Sequence, residues 1–280
     1  MVKAIIPKDI DEALQFMEKT EVYVVAGGTD LMVKKKGWSG VAPYFDKPII
    51  FIKYLNELKE IKLEKNILKI GAGCTFKDIV DSDKTSQYLK EVSLNIASPA
   101  IRNIATIGGN ICNASPAADI LPPLYAVRAE VVLESTDGKR NVPIEDFILG
   151  PRKINIKKGE LLKEIIIPTI KCSKFYYKKI GTRKSIALSK LSFFGFANVE
   201  SKKIEDIKLA FGAVGPTVVI SKDIENSLKG IPIDEIQNIV KSIKEEYSKL
   251  LNPIDDQRST AEYRRNIALN LLEDFLLNII

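Results

Sequence analysis

Thr106-Ile-Gly-Gly-Asn110, continuing as Ile-Cys-Asn-Ala-Ser115-Pro116-Ala-Ala-Asp119, is a run of small, mostly uncharged residues in a chain otherwise crowded with lysine. Two adjacent glycines leave the backbone bare and let it reach positive φ without strain. Successive bare N–H groups then form a concave nest for an anion such as a phosphate. Asn110 adds an amide beside that nest, and Ser115 and Asp119 add groups that bond to sugar hydroxyls. A glycine pair alone more often marks a tight turn between buried elements. Here a second pair occurs at Ala26-Gly27-Gly28-Thr29-Asp30, and no lysine interrupts either stretch, so both are read as binding loops.

A chain of 280 residues holds two domains, or one large domain with subdomains. Its apolar content of 45% suffices for a core. The net charge of +6 comes from lysines spread along the chain. The densest cluster, Lys34-Lys35-Lys36, is short and lacks interleaved aromatics, so it reads as a solvated face and no nucleic-acid partner is expected. No apolar run approaches the roughly 18 residues of a membrane span. The first residues lack the apolar core of a signal peptide, which makes a cytoplasmic location the expectation. Cys74, Cys112 and Cys172 are far apart and odd in number, so neither a disulfide framework nor a metal site is expected. There is no histidine. That removes the commonest general base near neutral pH. It also excludes a Ser-His-Asp triad and a flavin attached through histidine. Any demanding chemistry then belongs to a cofactor.

Outward from the central stretch, residues 8–19 have helical periodicity, with Ile10, Ala13, Leu14 and Met17 on one face. Val22–Val25 is a strand that ends at the first glycine pair, where binding loops often sit. The spacing is not G-x-G-x-x-G, so this is no dinucleotide fingerprint of that type. Ile49–Ile52 reads as a strand and Leu55–Ile61 as a connection. Alternation near Ile67 predicts another strand. Thr75 with Asp78 forms a capping-box pattern. Tyr88, Leu89 and Val92 mark a helical face. Ser98 to about Leu121 reads as one long loop. Asp137-Gly138 is a hairpin signal between Val131–Leu133 and Asn141–Ile144. Gly150-Pro-Arg-Lys153 is a basic turn, and Ile165–Ile167 is a strand stopped by Pro168. Beyond it, Phe175–Tyr177, Leu191–Ala197 and Leu209–Val214 suggest antiparallel strands. Two helices follow, one carrying Ile236, Ile239, Val240, Ile243 and Tyr247. The other opens on a Ser259-x-x-Glu262 box and carries Tyr263, Ile267, Leu271, Leu272 and Phe275. Strands followed by helices make a separate α+β unit, with a boundary near 169–174.

Ala26-Gly-Gly-Thr-Asp-Leu31, Thr106-Ile-Gly-Gly-Asn110 and Ser115-Pro-Ala-Ala-Asp119, in this order, resemble the FAD-binding medium subunit of molybdenum hydroxylases, the xanthine dehydrogenase and carbon monoxide dehydrogenase flavoprotein family. Gly150-Pro-Arg-Lys153, Gly159-Glu-Leu-Leu162 and Lys178-Lys-Ile-Gly-Thr-Arg183 sit where that family carries similar segments, so the likeness covers nearly the whole chain. It implies an α+β fold: a two-subdomain FAD-binding domain over residues 1–170, divided at about 55, then a C-terminal α+β domain over 171–280 with antiparallel sheet and helices. It implies that Ala26, Gly27, Gly28, Thr29, Asp30 and Leu31 meet the FAD pyrophosphate through backbone amides. Thr106, Gly108, Gly109 and Asn110 would form a second phosphate-facing loop. Asp119 would meet FAD hydroxyls, Leu162 would pack near the isoalloxazine ring, and Lys178 would offer its ammonium on the flavin side.

The family's complexes are heterotrimers, commonly paired, in which one partner subunit holds a molybdenum cofactor and another holds two 2Fe–2S clusters. Substrate is hydroxylated at molybdenum, and electrons pass through the clusters to FAD and then to an external acceptor such as NAD. The resemblance therefore implies an oxidoreductase subunit with no catalytic acid or base and no metal site of its own. Some relatives carry an extra iron–sulfur cluster on a cysteine-rich insertion, which this sequence lacks. Cys112, inside the second loop, reads as a small buried residue. Two other readings use the same loops. One is a self-contained flavin oxidoreductase with tyrosine or lysine as its acid or base, and the other is a non-catalytic module for an anionic ligand or nucleic acid.

Overall fold

The computed structural model describes residues 3–183 and 186–279, which divide by their internal contacts into two units. The first takes the chain up to residue 85, then 98–114 and 129–168; the second takes 86–97, 115–128 and the chain from 169 onward. Two earlier excursions group with the C-terminal sheet.

In the first unit, the short strands Ala4–Ile5, Tyr23–Val25 and Ile49–Phe51 form a parallel sheet with the last of them in the middle. The helix Ile10–Lys19 crosses between the first two. Asp9 caps it by accepting the Glu12 N–H at 2.8 Å. Its apolar stripe, Ile10, Ala13, Leu14 and Met17, packs on Ile50, Ile52, Leu55 and Leu58. A five-stranded antiparallel sheet runs Ile61–Glu64, Ile67–Gly71, Leu161–Pro168, Glu130–Ser135, Gly138–Pro143. Its middle strand, Leu161–Pro168, carries a bulge between Leu162 and Glu164. The Asp137-Gly138 hairpin forms, with Gly138 at a φ of +132°. The Thr75–Asp78 capping box is complete on both sides.

Three stretches differ from the sequence reading. Leu55–Ile61 is a 3-10 turn, Asn56–Leu58, running into the short edge strand Ile61–Glu64, which is exposed beyond Ile61. The long loop from Ser98 contains two short helices, Pro99–Arg102 capped by Ser98 and Ile107–Asn113 capped by Thr106. Leu31–Lys35, just past the first glycine pair, is also helical.

The second unit is built on three antiparallel strands, Lys174–Ile180, Leu191–Glu200 and Lys203–Gly212, with Leu191–Glu200 in the middle. The middle strand is buried from Leu191 through Asn198 because both of its faces are covered. On one face Phe193 packs on Phe211 and on Phe275 of the helix Ala261–Leu277. On the other, Phe194 lies 5.5 Å from the ring of Tyr88, which belongs to the helix Gln87–Leu94. The helix Leu121–Ala126 also joins this unit, with Pro122 against the bare Cα of Gly212. The helices Lys222–Ser227 and Ile236–Leu250 complete it. The last helix begins one residue later than its sequence signal. Asp256 holds the Ser259 N–H in a turn, and Thr260 caps the helix by accepting from Tyr263 N at 3.2 Å.

At Gly195, a Cβ would stand 2.8 Å from the Phe275 ring. Gly195→Val is expected to destabilise the protein by about 1–3 kcal/mol through overpacking, read as a lower urea midpoint at unchanged slope. An unchanged midpoint would show that the helix yields freely to the added side chain.

Candidate functional site

The first unit contains a cavity of about 870 Å³, within the range of small-molecule and cofactor clefts. Its walls are the strand Tyr23–Val25 with the loop after it, the helix Ile107–Asn113, and the segment from Ile154 to Leu162. The sequence-selected residues Ala26, Gly27, Gly28, Thr29, Asp30 and Leu31 line it, as do Thr106, Gly108, Gly109, Asn110 and Leu162. Asp119 and Lys178 belong to the second unit and are not among the lining residues.

The two glycine pairs face the cavity differently. In the first pair, Gly28 has a φ of +71°, and a Cβ on Gly27 would fall 2.1 Å from the Ile104 carbonyl oxygen. A side chain at Gly27 would collide with backbone, and one at Gly28 would be strained. Among the described hydrogen bonds, none is donated by the backbone N–H groups of residues 26–31. Unpaired amides on a bare loop beside a cavity are an anion cradle.

The second pair contradicts the expectation of positive φ, because it lies inside a helix. Its amides are also engaged within the chain. Ile107 N donates to the Cys74 carbonyl and Gly108 N to the Ala72 carbonyl, both at 3.0 Å. Gly109 N donates to Thr106 Oγ1 at 3.1 Å, and Asn110 N to the Thr106 carbonyl at 3.0 Å. Gly108 is required by packing, since its Cβ would stand 2.5 Å from that of Ala72. Gly109 is the less crowded of the two, with only Thr106 Oγ1, at 2.9 Å, near a hypothetical Cβ. This stretch therefore meets the cavity with its small surface and with Asn110, whose Oδ1 is buried without a partner. A buried acceptor left unpaired is costly unless a ligand supplies a donor.

Asp119 is buried in the second unit, where its carboxylate pairs with Lys179 Nζ at 2.7 Å and accepts from Ser189 Oγ. Burial pushes its carboxyl above the usual range, with Lys179 and Ser189 acting in the opposite direction. Lys178 is exposed, with its ammonium 5.4 Å from the Tyr176 ring centroid. Cys112 lines the cavity, and burial pushes its thiol up to about 12, so it stays protonated at neutral pH. Lys34, Asn113 and Lys157 also line the cavity; in the sequence Lys34 stands out only as part of the short lysine cluster, and the other two do not stand out at all.

A charged clamp holds the wall from residue 154 to 162. Arg140 Nε and Nη2 reach the two Glu160 oxygens at 2.6 and 2.8 Å. Arg140 Nη2 also donates to the Asn155 carbonyl at 3.0 Å, and Glu160 accepts the Lys157 N–H at 2.6 Å. Arg140 holds the Glu160 carboxyl below its ordinary value, against the opposing effect of burial.

No helix among the described residues is long and apolar enough to cross a membrane, and no three metal-ligating side chains converge among them.

The family model for the FAD binding domain in molybdopterin dehydrogenase matches residues 1–170, and that for the CO dehydrogenase flavoprotein C-terminal domain matches residues 176–279. The glyceraldehyde dehydrogenase medium chain of Sulfolobus acidocaldarius is 32% identical over 265 residues, covering 93% of this chain and 92% of its own length. The xanthine dehydrogenase FAD-binding subunit of Escherichia coli is 27% identical over 259 residues, covering 89% and 86%. Carbon monoxide dehydrogenase from Hydrogenophaga pseudoflava has a solved chain that matches with a TM-score of 0.89 at 25% identity, over 98% of this chain and 95% of that one. The chain belongs to the flavoprotein family of molybdopterin, xanthine and carbon monoxide dehydrogenases. It is an FAD-binding electron-transfer subunit of a molybdenum-hydroxylase-like oxidoreductase, with an N-terminal FAD-binding pair of subdomains and a C-terminal domain of antiparallel sheet and helices.

The Glu160 clamp yields a pH prediction. A carboxyl held low in the folded state contributes stability above its unfolded pKa and loses it as the pH falls through the folded value. Glu160→Gln is expected to lower stability by about 2 kcal/mol at pH 7, with the gap from wild type closing below about pH 4. Denaturant melts at the two pH values test this, and a gap that persists in acid would assign the loss to packing.

Proposed function

We propose that this member of the family is the flavin station of a three-subunit molybdenum hydroxylase, standing between the 2Fe–2S clusters of one partner and an external acceptor such as NAD. A second partner would hold the molybdenum cofactor and hydroxylate the substrate. When bound, the flavin supplies the exchange between one-electron and two-electron transfer. This chain's own residues hold and orient it.

The observation that supports the reading most directly is the loop 26–31, whose backbone amides are unpaired beside the cavity. These amides donate to the pyrophosphate of FAD. Gly109 leaves the facing wall bare so that the dinucleotide can approach, and Asn110 Oδ1 accepts a hydrogen bond from it. Leu162, buried at the bulge of the central strand, gives an apolar contact for the ring system. The neutral thiol of Cys112 adds no charge to the wall. Asp119 stays with Lys179 and Ser189 in this assignment. With no side chain cast as acid or base, the chain orients the cofactor and leaves substrate chemistry to its partners.

Purified chain incubated with excess FAD and desalted is expected to keep flavin absorption bands, with FAD released on denaturation and no iron–sulfur absorption. The isolated chain should hydroxylate no organic substrate. Gly109→Val is expected to fold, because only Thr106 Oγ1 crowds the site, and to bind FAD at least about tenfold more weakly by obstructing the approach. Wild-type affinity in that variant would remove Gly109 from the binding wall. Well-folded wild-type chain that keeps no flavin would defeat the whole reading.

A further inference from the structure

Lys34 and Arg152 converge on a single neutral oxygen. Lys34 Nζ donates to Asn113 Oδ1 at 2.6 Å. Arg152 Nη1 donates to the same oxygen and to the Asn113 backbone carbonyl at 3.3 Å. The Arg152 backbone N–H fixes the turn by donating to the Ala114 carbonyl at 2.9 Å. Two nearby cations are neutralised, Lys35 by Asp46 at 3.1 Å and Arg140 by Glu160 at 2.6 Å, whereas Lys157 and Lys158, which also line the cavity, make no ion pair among the described residues. Among the described residues, neither Lys34 nor Arg152 makes an ion pair.

Two like charges drawn to one amide dipole repel each other, and the repulsion is relieved when an anion joins them. Burial and the Arg152 charge both weaken the hold of Lys34 on its proton, and Asp30 offsets this only in part. That is the electrostatic condition of a cation lacking its counter-charge. The location names the anion. Lys34 and Asn113 line the same cavity as the unpaired amides of residues 26–31. Lys34 N donates to the Asp30 carbonyl at 3.0 Å, so its side chain leaves the helix one turn past that loop.

We propose that Lys34 and Arg152, bridged by Asn113, form a cation pair that takes the diphosphate of the dinucleotide together with the loop 26–31, and so make this chain select a diphosphate-bridged flavin over flavins with one phosphate or none. This rests on the FAD reading above and adds two converging side-chain charges to the backbone amides of that loop. Lys34 touches the cofactor directly, and Arg152 acts partly through Asn113. Charge-assisted contacts of this kind are strong and salt-sensitive.

The test is a fluorescence titration of the full-length apo chain with FAD, FMN and riboflavin at low and high salt, with melting temperatures followed alongside. Lys34→Met is expected to weaken FAD binding about 10- to 100-fold while leaving riboflavin binding and the apo melting temperature unchanged. Lys34→Arg should restore most of the affinity. Lys34→Gln keeps a donor to Asn113 without the charge, and should bind FAD as weakly as Lys34→Met. Inorganic pyrophosphate should raise the melting temperature of apo wild type but not of Lys34→Met. FAD bound with wild-type affinity by Lys34→Met or Lys34→Gln overturns the cation pair and leaves the FAD reading standing. Wild-type chain that binds no FAD overturns that reading, and the pair with it.

Discussion

The close approach of bare backbone at two glycines is the constraint on which the cavity depends. Gly27 lets the first loop lie on the chain at Ile104, where a Cβ would fall 2.1 Å from a carbonyl oxygen. Gly108 lets the helix Ile107–Asn113 lie on Ala72, where a Cβ would meet another at 2.5 Å. These neighbours are a backbone carbonyl and an alanine, not the ends of flexible side chains, so neither can yield cheaply. Both loops are therefore held close to the chain they pack on, and with the segment from Ile154 to Leu162 they enclose the cavity.

That contact also divides the hydrogen-bonding work. A helix start leaves its first N–H groups without intrahelical partners. At Ile107–Asn113 the carbonyls of Ala72 and Cys74 and the cap residue Thr106 satisfy them, so the helix is tied to the sheet and presents no free amide. Along residues 26–31 the amides remain open. One glycine loop is thus structural on its backbone side and the other is receptive. Fixed donors suit a cofactor that must keep one position, because no reorganisation is needed when the anion arrives.

Much of this was legible in the sequence, and the limits have physical causes. The helix Ile10–Lys19, the Thr75–Asp78 box and the Asp137-Gly138 hairpin rest on local chemistry, and each forms where local chemistry puts it. Both glycine pairs announced themselves by composition. The conformation of the second did not, because a glycine kept for packing room looks in sequence like one kept for positive φ. Only the neighbour, Ala72, tells the two apart, and it lies far back in the chain. Ser259 mimicked a helix cap, but the Asp256 turn holds it and passes the role to Thr260. The excursions at 86–97 and 115–128 were invisible for the same reason: Tyr88 meets Phe194 across more than a hundred residues.

A chain with a net charge of +6 offers many lysines, and their spread along the sequence marks only the short cluster at Lys34-Lys35-Lys36. Pairing ranks them. Lys179 neutralises a buried carboxylate in the second unit, and Arg140 braces a wall of the cavity. Lys35, in the middle of the lysine triplet, is held by Tyr23 and Asp46. Of the lysines beside the open amides, Lys34 alone among the described residues shares an asparagine oxygen with Arg152, while Lys157 and Lys158 line the cavity without such a partner. A solvated lysine gains little from such an arrangement, since water serves it as well as an amide does. The arrangement is favourable when a multiply charged ligand completes it, and a dinucleotide's diphosphate has that charge. The same triplet that reads as a solvated face in one dimension therefore contains, in three, one anchored residue and one that faces the cofactor cavity.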